Sequence, residues 1–226
     1  MVEIRIKPSI RQIGAPQAAS AFANVAGHID GTLFAASWLH KMAADGYMYK
    51  INAGTRSTPI TGNGVYVATT PDLNVQIPQG VLCIPVSLVV NYEVVGTSGI
   101  QECFALCGNG GTFATSANAI TPVNVRSDLG NSSTLLAQAP ATGAAQTGMT
   151  NVNEFFRNSP PMGITKTSES ATVTSIDPYR FEWSAILSGE WPHIYSPSGF
   201  AQIMVWMGGQ APTGFISLTV VVPPIA

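Results

Sequence analysis

Charge is what this chain has least of. Of its 226 residues only 10% are Asp, Glu, Lys or Arg, against about 25% in an average soluble domain. Hydrophobic residues make up 46% and mean hydropathy is +0.23. A net charge of −2 excludes a strongly basic body built to hold nucleic acid. Long apolar runs are lacking too. A membrane-crossing helix needs about 18 uninterrupted apolar residues, whereas residues 81–90 and 214–225 are broken by Pro, Ser or Thr. An apolar, charge-poor chain with no spanning segment predicts a surface that neighbouring molecules cover.

The few charges are unevenly placed. Residues 1–60 hold six basic side chains against three acidic ones, and the remainder holds four against nine. That predicts a mildly basic N-terminal part on an acidic body. The opening MVEIRIKPSIRQ has charges at positions 3, 5 and 7 and predicts no secretory leader. Three cysteines are too few for a disulfide framework. Cys103 and Cys107, on one face of a strand, would stand about 13 Å apart, beyond bridging distance, and Cys83 could meet one of them only across strands. The expectation is three reduced, buried thiols in a protein made in a cytoplasm.

Catalytic and metal-binding motifs are also missing. His28, His40 and His193 stand apart in sequence, with no HExxH or HxH spacing, and Cys103-x3-Cys107 is not the CxxC of a structural zinc site. GTSG (96–99) has the wrong spacing for a nucleophile elbow. GNGGTF (108–113) lacks the third glycine and following helix of a phosphate-binding loop, and reads as a turn. Glu182 could pair with Asp177 or Glu190 for glycoside hydrolysis, but twelve scattered acids make such pairs unavoidable. The reading is of a protein that is not an enzyme, with no metal and no cofactor.

What is present is period-two alternation, the mark of strands with one buried face. PQGVLCIPVSLVVNYEVV (78–95) alternates from Val86 onward, and YRFEWSAIL (179–187) sets Tyr179, Phe181, Trp183, Ala185 and Leu187 on one side. FAQIMVWM (200–207) is apolar on both faces, as a central strand between two covering layers would be. GFISLTVVV (214–222) points Ile216, Leu218, Val220 and Val222 inward. IQECFALC (100–107) is shorter and mixed. Weaker strand candidates lie at 47–52, 64–68, 73–77, 112–116, 123–127 and 171–176. GTSG and GGQAPTG (208–214) have hairpin length, so residues 200–222 read as a closing apolar hairpin. TLFAASWLHKMA (32–43) is helix or strand, and residues 14–27 an extended arm or a short helix. Residues 132–156, rich in Ala, Thr, Gln and Gly, read as a long connection that is functional or an interaction surface and that becomes protected from protease only in the oligomer. Together these predict an all-β fold: an antiparallel β-sandwich, a single jelly roll over residues 31–226 with an N-terminal arm at 1–30.

The arm, the uncharged β-rich body, the IPQGVLCIPVSLVVNYEVV strand, the neutral Ala/Thr/Gly loops and the GFISLTVVVPP strand together resemble the jelly-roll capsid proteins of icosahedral viruses, particularly tailless phages. The resemblance extends from about residue 30 to 222. It implies a virion subunit that self-assembles through apolar sides, with copies of itself and other virion proteins as partners. Arg5, Lys7 and Arg11 would then face packaged nucleic acid or the head groups of an internal membrane; equally, VEIRIK is an edge strand with outward charges. An alternative is a trimeric binding module, a fibre head or lectin-like domain, using the aromatic loop WPHIY with Trp191, His193 and Tyr195.

Overall fold

The computed structural model describes residues 38–55, 57–62, 66–94, 102–113, 118–131, 134–141, 145–158, 180–208 and 212–224. The predicted arm at 1–30, with Arg5, Lys7 and Arg11, lies outside the described residues, as do His28, Asp177, GTSG and the candidate strand at 171–176. Helix α1 (Trp38–Ala44) leads into β1 (Met48–Ala53) and the short β2 (Ile60–Thr61). β3 (Leu73–Pro78), β4 (Leu82–Val94) and β5 (Cys103–Thr112) follow. Then come β6 (Ala119–Ile120), β7 (Val123–Asn124), β8 (Leu136–Gln138) and the long β9 (Ala145–Asn158). β10 (Arg180–Ser184) runs directly into the helical turn α2 (Ala185–Ser188), before β11 (Ile194–Tyr195), β12 (Phe200–Met207) and β13 (Thr213–Val221).

The chain is all-β, in two antiparallel sheets. One has the order β10-β4-β13-β1-β7, with β11 also on β4 and β2 also on β13; the other is β6-β8-β3-β12-β5-β9. Their facing sides share one core. Ile51, Leu88, Val90, Tyr92, Phe181, Trp183, Leu218 and Val220 meet Val75, Ile77, Cys103, Ala105, Cys107, Ile203 and Val205. Alternation places these side chains, because only every second residue of a strand faces one side. β12 is buried on both faces: Ile203 and Val205 enter the shared core, while Met204 and Trp206 join a second cluster on the outer side. The expectation of a central, doubly covered strand holds.

Among the described strands no two consecutive ones pair with each other. Eight principal strands (β1, β3, β4, β5, β9, β10, β12, β13) pair in nested fashion. First pairs with last, second with seventh, third with sixth and fourth with fifth. The predicted closing hairpin is therefore corrected: β12 and β13 belong to different sheets, and so do β4 and β5 on either side of GTSG. Connections of hairpin length step between the sheets here. Local alternation fixes which face a strand buries, and leaves open which strand it pairs with.

Four further expectations change. YRFEWSAIL is not one strand: it leaves the sheet at Ser184 and turns into α2, so Leu187 is 88% exposed instead of inward. GNGG is no terminating turn but part of β5. Gly110 holds a positive φ of 76°, and a Cβ on Gly108 would lie 3.0 Å from the carbonyl oxygen of Thr150. Residues 132–156 contain β8 and most of β9. β9 pairs β5 through three register irregularities, and the adjacent Phe155 and Phe156 are both buried, which erases the period-two signal. Finally, the strand candidate at 123–127 shrinks to β7, and residues 66–68 of the one at 64–68 form no strand.

Candidate functional site

Among the described residues, the most exposed large apolar side chains lie where β10 ends. Ala185 is buried and continues the inward row of Phe181 and Trp183. The backbone then curls into one helical turn, closed by Gly189 in the left-handed region (φ 73°), whose N–H donates to the Ala185 carbonyl at 3.1 Å. Glycine takes that conformation without the Cβ clash other residues meet. The turn holds Ile186 and Leu187 out, 60% and 88% exposed.

WPHIY follows at once. Here exposed and buried positions alternate: Trp191, His193 and Tyr195 out, Pro192, Ile194 and Ser196 in. Ile194 is anchored by pairing with Cys83 on β4, and the Gly80 N–H donates to the Ser196 carbonyl at 3.0 Å. The structure thus brings the three predicted loop residues to one outward side. Trp191 (38% exposed) packs edge-on against Trp38 (37% exposed), their ring centroids 5.9 Å apart. Tyr195 is 43% exposed. Sequence reasoning found this aromatic loop, but missed Ile186 and Leu187 beside it. Their alternation with Trp183 and Ala185 reads as more strand, and only Ser188-Gly189 signals a stop.

Among the described residues, four basic side chains lie in ion pairs. Lys41 pairs with Asp45 at 2.7 Å, Arg126 with Asp128 at 2.8 Å, and Arg180 with Glu182. Arg157 is held by Glu154 and Glu102, with its guanidinium 4.9 Å from the centre of the Phe104 ring. The side-chain bond from Arg126 holds the Asp128 carboxyl below its ordinary range, and Arg157 does the same for Glu154. Glu182 is thus half of an ion pair.

The cysteines are free and buried, as expected. Burial pushes the thiols of Cys83 and Cys103 far up and that of Cys107 to about 12, so they hold their protons and are poor nucleophiles. His40 lies on α1 and His193 in the aromatic loop. Among the described residues no three of His, Cys, Asp or Glu are grouped closely enough to hold a metal ion.

A cleft of about 430 Å³ opens at the far edge of the two sheets. It is lined by Asn52 of β1, the β1–β2 loop including Thr55, Thr58 and Ile60, and Asn118–Thr121 around β6. None of its described lining residues is charged. Asn52 accepts a bond from Ser217 Oγ at 2.9 Å, and Thr55 Oγ1 accepts the Thr58 N–H at 3.1 Å. No family model, curated protein or solved structure matches this chain.

Proposed function

We propose that this chain is a structural subunit whose work is self-assembly, a jelly-roll shell protein of a virion. The observation that carries the reading is the exposed apolar corner of Ile186, Leu187 and Trp191, in a chain of which only 10% of the residues are charged. Interfaces of assembling subunits are depleted of charge and enriched in aromatic side chains at their centre. The nested pairing of eight principal strands supports the jelly-roll reading, since rolling up one long hairpin produces that order. The resemblance of the sequence to capsid proteins points the same way. In this reading Arg5, Lys7 and Arg11 face packaged nucleic acid or an internal membrane, and three such contacts would give only modest, salt-sensitive binding.

The test is the mass of the purified chain by light scattering on a sizing column, with electron microscopy of the peak. Capsomers, sheets or closed shells are expected. A monomer at every concentration would sink the reading. A discrete trimer would favour the trimeric binding module, for which the shared outward side of Trp191, His193 and Tyr195 is the specific observation. Those residues would then go to a glycan screen.

A further inference from the structure

The exposed turn and the uncharged cleft sit at opposite edges of the protein. Phe155 of β9 lies against Trp183 of β10, ring centroids 4.8 Å apart, so these two edge strands stack, and α2 projects from that side. Across the sheets, Asn52 of β1 and Ala119–Ile120 of β6 line the cleft together, which puts it at the other edge. The two features also differ in level. α2 follows Ser184, level with Ser87, Thr219 and Lys50, whereas the cleft begins at Asn52, level with Ser217, and continues past Ala53.

We infer that the Ile186–Leu187 turn of one copy inserts into the β1–β6 cleft of a second copy, a head-to-tail contact between unlike surfaces. The inference rests on the self-assembly reading and names its contact. Three observations favour this occupant. Neither the turn residues Ala185–Ser188 nor the described lining residues of the cleft carry a charged side chain. The cleft is open to solvent and has room for an aliphatic side chain, with Pro59, Ile60 and Ala139 as its apolar lining. The hydrogen-bonding groups are complementary. A helical turn ends in carbonyls without partners inside the turn. The rim answers with donors, because Asn52 and Thr55 use their side-chain oxygens as acceptors within the chain and keep an N–H and an O–H to give. A contact between unlike surfaces propagates from copy to copy, closing as a ring or extending as a lattice.

The experiment uses the full chain in two kinds of variant, one for each surface. Leu187→Asp spoils the turn, and Thr121→Arg or, independently, Ala119→Trp obstructs the cleft. All three positions are exposed, so far-ultraviolet circular dichroism should report unchanged folds. Each variant alone is expected to lose association by at least 100-fold on a sizing column with light scattering. A 1:1 mixture of Leu187→Asp with Thr121→Arg should recover a species of twice the monomer mass, because one intact turn then meets one intact cleft. Cleft variants that assemble like the unmodified chain, or a mixture that stays monomeric, would overturn the inference and leave self-assembly standing. A monomeric unmodified chain would remove both.

Discussion

Trp206 and Ser217 sit on the outer faces of the two sheets, and their surroundings could hardly differ more. On the six-stranded sheet, Trp206 stacks on Phe104 with ring centroids 4.8 Å apart, and Tyr66 closes over both. Its indole N–H donates to the Val67 carbonyl at 3.0 Å. Met204, Leu106 and Ala141 complete a second buried cluster. On the seven-stranded sheet the outward positions are mostly polar, with Ser184, Ser87, Thr219 and Lys50 in one row and Glu182, Val89, Ser217 and Asn52 in the next. One face is covered by the chain's own side chains, and among the described residues no comparable apolar cluster covers the other. Much of the apolar content of the sequence goes into two cores, and low charge by itself does not say where the uncovered surface is.

The contrast can be tested from its largest consequence down. Trp206→Ala should cost about 3–5 kcal/mol of stability, the usual toll of removing a buried aromatic side chain, read as a shift in denaturant midpoint. A loss under about 1 kcal/mol would mean the outer cluster is no core at all. Gln138 is buried there with neither side-chain amide atom hydrogen-bonded. Gln138→Met should therefore raise stability by about 1 kcal/mol, since an unpaired buried amide is removed and volume kept. A destabilised variant would show that the amide has a partner in solution.

Arg157 closes the rim of the same face, over Phe104. Its partner Glu154 has a lowered pKa, so this group's contribution is present above the ordinary carboxylate range and is lost as pH falls through the folded value. Arg157→Met should flatten that acid limb and cost about 0.5 kcal/mol at neutral pH, because the pair is largely exposed to solvent. An unchanged acid limb would discard the assignment. Smallest of all, Ser217→Ala on the outer face of the seven-stranded sheet should fall within about 0.5 kcal/mol of zero in thermal melts. A cost comparable to that of Trp206→Ala would erase the difference between the faces.

Much of the fold can be read directly from alternation. The inward rows of β4, β10 and β13 and the doubly buried β12 were legible because each strand imposes period two on its side chains. Strand partners were not legible, because every ladder joins segments distant in sequence and a short connection looks alike whether it makes a hairpin or steps between sheets. β9 was hidden by its bulges, where two adjacent phenylalanines both turn inward. At the candidate site the outward spacing of Trp191, His193 and Tyr195 was visible. Leu187 was not, since its exposure depends on a single turn that only Gly189 announces. The cleft joins Asn52 to Ile120, residues that no local pattern connects.

The nested pairing also governs the order in which such a chain can acquire structure. β13 lies between β1 and β4 in the seven-stranded sheet, and β12 lies between β3 and β5 in the other. Each sheet therefore lacks a central member until the segment beyond residue 200 has been made. At about 5–20 residues per second of synthesis, β1 waits roughly ten to thirty seconds for its partner. During that time the apolar strands β3, β4 and β5 are exposed without their neighbours. Ladders that close only between distant segments also fold slowly once the chain is complete. A chain of this design is therefore most prone to aggregate while it is still being made, and its yield should respond to translation speed and chaperone supply more than to the stability of the finished fold.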